Sequence, residues 1–535
     1  MQNNDYIVNQ IEECLSACSQ LVDRHPQLYN IRTAIENVKR RKDEPMQLAI
    51  VGRISSSKST LVNAILGKPE VVRTGHEAET FNVSWLKYGE DNSPITVHFK
   101  NGSKIEVPHD QWIQWASHAG EEALKAKVSY IEVPTSDEIL KQINIIDTPG
   151  LDATSRIDSE NTKQFLKQVN PDAVVFLFTK SLSEDGLKLI NEFQMSDVGN
   201  SYSITPLNSL GVLSKPDLNW SIVNKIDVIK ETSSAISRTL TSRLDVKKAL
   251  FRILPVSALM GLASFNITEE DYNMFKSLAE IQDQKTILRI FVNADAFTRE
   301  IDNIVISSLQ RKKLWVKYGL YGAYICMELL RSNPNISREQ LANTLRIKSG
   351  FSPFITLLRS HFGDRASVLK TQRSILSMLD ACNQDRQRTN DSDLIAIIDK
   401  IRNLILHVEN ELHDVKEISL LMSIYEGRTK ADDAFTEEFA RVCGEYGYGI
   451  IDRLNAPNDT HISELVSLAK KKQTYWTRKY NAIRNISESK AAPYAIIAKS
   501  YSLMAERIVS QHEGYKQAQK TTAIYKRYIY GKDNI

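Results

Sequence analysis

The apolar residues of this sequence keep two different periods, and the change between them divides the chain. From Met46 to about residue 265, short apolar runs at 48–51, 143–146, 173–178 and 210–213 are separated by helix-length segments. Runs of that kind are strands buried on both faces. The region therefore reads as an α/β domain, a mostly parallel sheet with helices on both faces. A hairpin is expected where 95–99 and 105–107 flank Asn101-Gly102. Beyond residue 265 the strand signals vanish. Leu394, Ile398, Ile401, Ile405, Val408, Leu412 and Val415 alternate steps of four and three, the spacing of long helices packed side by side. A second seam runs Ile462, Val466, Ala469, Gln473, Trp476, Tyr480 and Ile483, and the glycine-rich 443–449 between the two seams cannot continue a helix comfortably. The fold class expected is an α/β domain plus an all-α helical bundle.

With 535 residues the chain exceeds what one core serves, so several domains are expected. Residues 5–41 read as two helices: Ile7, Ile11, Leu15 and Cys18, then Ile31, Ile35 and Val38 beyond Pro26. We expect residues 1–42 to pack with the helical part, the α/β domain to span 43–310, and the bundle to span 311–535 with a tip near 444–456. Sixty-eight basic residues nearly balance sixty-five acidic ones, so composition gives no case for a nucleic-acid partner. Five scattered cysteines cannot form a disulfide framework and fit small buried residues in a reducing compartment. Met1 to Val8 lacks the basic start and apolar core of a signal peptide, and no run of eighteen apolar residues occurs. The expected location is the cytoplasm, with any membrane contact peripheral, at the inner face of the cell membrane.

Gly52-Arg53-Ile54-Ser55-Ser56-Ser57-Lys58-Ser59 follows the first apolar run and fits the phosphate-binding pattern G-x-x-x-x-G-K-S at all fixed positions but one. Such a loop aims backbone N–H groups at a phosphate, with Lys58 reaching the outer phosphates, Ser59 offering its hydroxyl to Mg²⁺, and Thr60 following at the helix start. The exception is Ser57, where glycine would accept a backbone conformation that a β-carbon makes costly. Asp147-Thr148-Pro149-Gly150 ends the next apolar strand: Asp147 can hold a Mg²⁺-bound water and the Gly150 N–H can meet the γ-phosphate. Ser214-Lys215-Pro216-Asp217 ends another strand in a relative of the N/T-K-x-D guanine motif, whose carboxylate pairs with the ring N–H and the exocyclic amine, a pairing adenine cannot offer. Ser257-Ala258 resembles the element that backs the same base. Four such elements in the right order, each at a strand's end, imply a guanine-nucleotide site.

Eighty-nine residues separate Lys58 from Asp147, far more than in small GTPases. In this the sequence resembles the dynamin superfamily, particularly bacterial dynamin-like GTPases, and residues 51–66 also resemble the mitofusin loop and helix. Residues 80–89 match the family's switch threonine and following strand; 313–322, 348–351 and 364–370 are similar to mycobacterial isoniazid-inducible dynamin-related proteins. The resemblance implies a head that hydrolyses GTP with Mg²⁺, Thr80 supplying a second Mg²⁺ hydroxyl beside Ser59 and Asp147. Ser55 stands where dynamin helps hold a monovalent cation, K⁺ or Na⁺, while Ile54 replaces dynamin's catalytic glutamine. Arg53 either stabilises charge across a head dimer or is a solvated surface residue. Implied partners are GTP and GDP, a second copy through the heads or a second dynamin-like protein, and a membrane to be remodelled, tethered or fused.

Three segments could touch lipid: 318–327, which reads better as buried packing; 446–451, which reads equally as a helix break with a packed aromatic; and the basic, aromatic tail 525–532, which reads better as the end of a helix. His76 is the only histidine near the nucleotide motifs. The alternative to a membrane GTPase is a slow or inactive GTP-dependent scaffold or switch, limited by Ser57 and acting on a protein partner without lipid contact.

Overall fold

The computed structural model describes residues 4–53, 55–69, 71–72, 82–116, 127–150, 169–179, 187, 190, 205–224, 226–301, 305–429 and 433–530. Thr80, Ile54 and His76 lie outside these residues, as do the end of the tail and the side chains beyond residue 510. The chain divides into two compact units, residues 43–366 and residues 1–42 with 367–535.

Among the described residues the first unit is built on nine strands: β1 Met46–Gly52, β2 Ser84–Tyr88, β3 Ile95–Phe99, β4 Lys104–Val107, β5 Val128–Thr135, β6 Ile143–Asp147, β7 Ala173–Phe178, β8 Ser209–Ser214 and β9 Arg252–Val256. Their order is β4-β3-β5-β2-β6-β1-β7-β8-β9. β6, β1, β7, β8 and β9 run parallel, and nearly every side chain on the first four of these is buried. That is why they read as unbroken apolar runs. β2 joins β6 antiparallel, and β5, β3 and β4 extend the sheet beyond β2. These three strands fall between β2 and β6 in sequence, so they account for much of the long separation of Lys58 from Asp147. The hairpin forms as expected, with Gly102 in the left-handed region at φ 85°.

β1 lies mid-sheet, with the later strand β6 on one side and β7 on the other. A sheet that grows both ways from one strand leaves a crevice at that strand's carboxyl end. The loop 53–57 begins there and leads into helix Lys58–Leu66.

The unit holding the sheet runs past residue 310, where the sequence placed the end of the α/β domain, to Ala366. Helices Ser308–Ser332, Arg338–Lys348 and Phe351–Leu357 share its core, burying Leu314, Tyr318, Tyr321, Met327 and Phe351. His361 stacks on Phe251 and sits with Nε2 2.7 Å from the Leu207 carbonyl oxygen, which ties the last turn of the unit to the start of β8. Burial, with Arg365 nearby, pushes the His361 pKa down to about 3, so this tie holds with a neutral ring. Residues 318–327 are thus interior packing rather than a lipid-facing segment: Tyr318, Tyr321, Cys326 and Met327 are all at most 2% exposed.

In the second unit helices Asn4–Val22 and Tyr29–Arg41 pack with Ser392–Glu411 and the helices around it. Asp385 accepts from the N–H groups of Asn30 and Ile31, anchoring the start of the second N-terminal helix. All seven members of the first seam are buried, but they serve two helices, because Leu412 leaves helical geometry at φ −87°, ψ 97° and helix His413–Tyr425 begins after it. The second seam is shifted: Ile462 is exposed, whereas Leu465, Ala469 and Trp476 face the interior of the hairpin formed by Ile462–Arg484 and Glu488–Tyr530. The five cysteines are buried and unbridged. Among the described residues no helix is long and apolar enough to cross a membrane.

Candidate functional site

The site grows from the end of β1. Gly52 has to be glycine, because a β-carbon there would stand 2.7 Å from Ser56 Oγ and 2.8 Å from the Leu177 carbonyl oxygen. The chain then curls so that the Ser56 N–H donates to the Arg53 carbonyl at 3.2 Å. Ser56 is buried with its hydroxyl unsatisfied, and Ser55 and Arg53 are exposed on the outside of the turn. Ser57 takes the left-handed conformation, φ 70° and ψ 30°, at the position where the pattern asks for glycine. The loop thus adopts the glycine-type shape with serine in it, at a strain of roughly 1–2 kcal/mol.

That strain has a measurable counterpart. Ser57→Gly removes it but gives the unfolded chain about 0.5–1 kcal/mol of extra conformational freedom. The two nearly cancel, so the thermal unfolding temperature is expected to move by the equivalent of less than about 1 kcal/mol.

Lys58, 7% exposed, folds its ammonium back into the loop and donates to the carbonyls of Gly52 (3.2 Å) and Arg53 (3.0 Å). Ser59 donates to Asp147 Oδ2 at 3.2 Å, joining the helix start to the end of β6 across eighty-eight positions of sequence. Thr60 follows, half-buried. Thr148 was not singled out in the sequence; its hydroxyl donates to the Ile50 carbonyl at 2.8 Å and pins the D-T-P-G turn to β1, with Gly150 half-buried just beyond. A hydroxyl and a carboxylate side by side are hard oxygen donors, and they fit a Mg²⁺ ion better than a softer metal.

The other half of the site forms at the ends of β8 and β9. Ser214 closes β8 with its hydroxyl donating to the Phe178 carbonyl at 3.3 Å. Lys215 turns the chain through the left-handed region at φ 53°, and Asp217 sits in the single helical turn Pro216–Asn219. Ser257 caps helix Ala258–Ala263, its hydroxyl accepting from the Met260 N–H, and stands just past the end of β9, which pairs with β8. Burial raises the Asp217 pKa, while that hydroxyl and Lys215 pull it the other way. Asp217 and Ser257 come from separate motifs forty residues apart, and the pairing of β8 with β9 sets them at neighbouring strand ends. Helix Ala258–Ala263 also packs on helix Lys58–Leu66, which links the two halves. Of the residues expected to hold the nucleotide and its metal, only Thr80 lies outside the described part.

Residues 48–207 match the dynamin family. The isoniazid-induced protein IniC of Mycobacterium tuberculosis is 23% identical over 348 residues, 64% of this chain and 68% of its own length. Dynamin-like protein 2 of Campylobacter jejuni is 31% identical over 180 residues, 33% of this chain and 28% of its own. A probable transmembrane, FZO-like chloroplastic GTPase of Arabidopsis thaliana is 31% identical over 139 residues, 26% of this chain and 12% of its own. With the loop, the D-T-P-G turn and Asp217 and Ser257 at neighbouring strand ends, these matches identify residues 48–207 as a segment of the dynamin family's kind, in a chain similar to bacterial dynamin-like proteins.

Proposed function

We propose that residues 43–310 form the GTPase domain of the unit and that it binds and hydrolyses GTP with Mg²⁺. The observation that carries this is the placing of Asp217 and Ser257 at the carboxyl ends of the paired strands β8 and β9, in the same sheet whose β1 and β6 ends carry Lys58, Ser59 and Asp147. Gly52 and the backbone of 55–58 would cradle the phosphates, Gly150 would meet the outermost one, and Lys58 would neutralise their charge. Lys215 and Asp217 would flank the base, with Ser257 behind it. Mg²⁺, held by Ser59, Asp147 and Thr80, would supply charge neutralisation at the β- and γ-phosphates. Arg53 and Ser55 face outward, as an arginine acting across a dimer and a serine helping to hold K⁺ or Na⁺ would have to. Ser57 already adopts the loop conformation, which favours a working site over the inactive scaffold.

The base assignment has a direct test. A carboxylate at 217 accepts from the ring N–H and exocyclic amine of guanine, whereas an asparagine donates to the carbonyl that xanthine carries in place of the amine. Asp217→Asn is expected to weaken GTP binding about a hundredfold, the loss of a charged hydrogen bond plus a mismatched one, and to prefer XTP. Competition of both nucleotides against fluorescent GTP measures it; an unchanged preference for GTP would remove Asp217 from the base site.

The family likeness further supports self-association through the heads, or pairing with a second dynamin-like protein, and action at a membrane as a peripheral protein. Turnover should then rise with protein concentration and with anionic vesicles. Turnover flat in both would favour the GTP-dependent switch acting on a protein partner. Of the segments considered for lipid contact, 446–451 is tied down: the Arg441 guanidinium lies 4.7 Å from the Tyr446 ring centre and Arg453 5.2 Å from that of Tyr448.

A further inference from the structure

Helix Ser308–Ser332 is broken once, at Gly319, whose φ of 69° and ψ of 172° fall in a region open in practice to glycine alone. The break faces the loop that carries Asp217. A β-carbon built on Gly319 would stand 3.6 Å from Asp217 Oδ2 and 3.7 Å from Leu259. The residues around the break are anchored. Tyr318 donates to Asp271 Oδ2 at 2.9 Å, and Tyr321 donates to Asp227 Oδ1 at 3.1 Å. Each carboxylate is held in turn by a lysine, Asp271 by Lys317 at 2.6 Å and Asp227 by Lys348 at 2.7 Å. One turn on, Gly322 lets the helix lie close on helix Ala258–Ala263, where a β-carbon would meet Met260 at 3.1 Å. Trp220, just past the Asp217 turn, packs on Tyr321 and Tyr324 with ring centres 5.5 and 4.7 Å away.

We propose that Gly319 is a positioning residue for base recognition: its break sets the backbone of helix Ser308–Ser332 against Asp217 and fixes that carboxylate at the angle needed to hold both guanine donors. The inference rests on the reading of Asp217 as the guanine-binding carboxylate. The argument is geometric. A residue with a β-carbon cannot keep this backbone conformation without strain, and the anchored tyrosines leave little room to rotate away from it. The relaxation open to the helix is a shift of the segment that touches Asp217 and Leu259. A carboxylate that must accept two hydrogen bonds at once loses the second when it turns, because such bonds weaken steeply off line.

The test compares GTP with ITP, which lacks the exocyclic amine and so uses only one of the two hydrogen bonds. The unmodified chain is expected to prefer GTP over ITP by about tenfold or more. In Gly319→Ala, GTP affinity should fall by about that factor, ITP affinity should change much less, and kcat at saturating nucleotide should stay within about twofold. Equal losses for GTP and ITP would mark Gly319 as structural only and overturn the proposal. If the variant does not fold, hydrogen exchange on the unmodified chain decides: GDP should protect the amides near 318–324 more than IDP does, and equal protection overturns it. A full chain that binds neither nucleotide would instead overturn the underlying GTPase reading. A chain that prefers GTP over ITP while Gly319→Ala leaves that ratio unchanged would overturn this inference alone.

Discussion

Lys58→Ala is expected to lower GTP turnover by about a hundred- to a thousandfold, with affinity falling alongside it. The side chain is 7% exposed and sits between the carbonyls of Gly52 and Arg53, inside the loop. A cation in that position is a charge already withdrawn from bulk water and set beside the place where phosphate oxygens would lie. Interactions of that kind are stronger than the same contacts in solvent, and nothing else described within the loop 53–57 carries a buried positive charge. The fold should tolerate the change, since the loop begins at exposed Arg53 and the lysine's bonds are to loop carbonyls rather than to a strand or helix ladder. Thermal unfolding of the variant near that of the parent, with turnover lost, is the expected pair of results. A turnover kept within threefold would remove Lys58 from the phosphate site.

The second large effect lies in the other unit. Glu417 and Arg453 are each 2% exposed at the side chain and form an ion pair, with the Arg453 Nε–H also donating to the Val442 carbonyl at 2.7 Å. His413 stands 3.5 Å from Glu417 and 3.0 Å from the Ser500 hydroxyl. The pair therefore joins helix His413–Tyr425 to the short helix Ile450–Leu454 and to the long helix Glu488–Tyr530. Glu417→Ala would leave the Arg453 charge buried and uncompensated, at a cost of about 3–5 kcal/mol. Replacing both, Glu417→Met with Arg453→Met, should recover most of that, because it removes the stranded charge as well as the pair. Urea unfolding of the full chain, followed by Trp476, the one tryptophan outside residues 43–366, measures both variants.

The same pair gives a pH dependence. Burial alone would raise the Glu417 pKa, but the Arg453 charge, with His413 and Ser500, outweighs it and holds the carboxyl down at about 2. A carboxyl whose folded pKa is depressed stabilises the fold fully above its unfolded value and loses that contribution as it protonates. The contribution is therefore complete above about pH 4.5 and fades as pH falls toward 2. Helix His413–Tyr425 should open to hydrogen exchange in that window, and Glu417→Met/Arg453→Met should blunt the effect.

How much of this was legible in advance follows from what each residue had to do. β1, β6, β7 and β8 showed themselves because burial on both faces demands unbroken apolar runs. β5, Val128–Thr135, did not, since its buried positions are interleaved with half-exposed Tyr130, Glu132 and Pro134. The left-handed turn at residue 57 could be foreseen because the pattern places glycine there for a steric reason, and serine is held in that same conformation. The extent of the sheet's unit could not. Helices Ser308–Ser332 and Phe351–Leu357 carry the same apolar spacing as the helices after residue 366, and spacing does not say which core a helix serves. Gly319 left only a faint signal, the pair of glycines among tyrosines at 318–322. That pair records close helix approach but not the neighbour approached.

If the chain holds and cleaves GTP, it does so at the strand ends that carry Lys58, Asp147 and Asp217. The most direct measurement is a titration of the full chain into fluorescent GTP with Mg²⁺, competed by GTP and by ATP, with phosphate release followed in the same samples. Displacement by GTP but not by ATP at equal concentration is expected, with phosphate release that disappears in Lys58→Ala. Displacement by both nucleotides alike, or no binding at all, would contradict it.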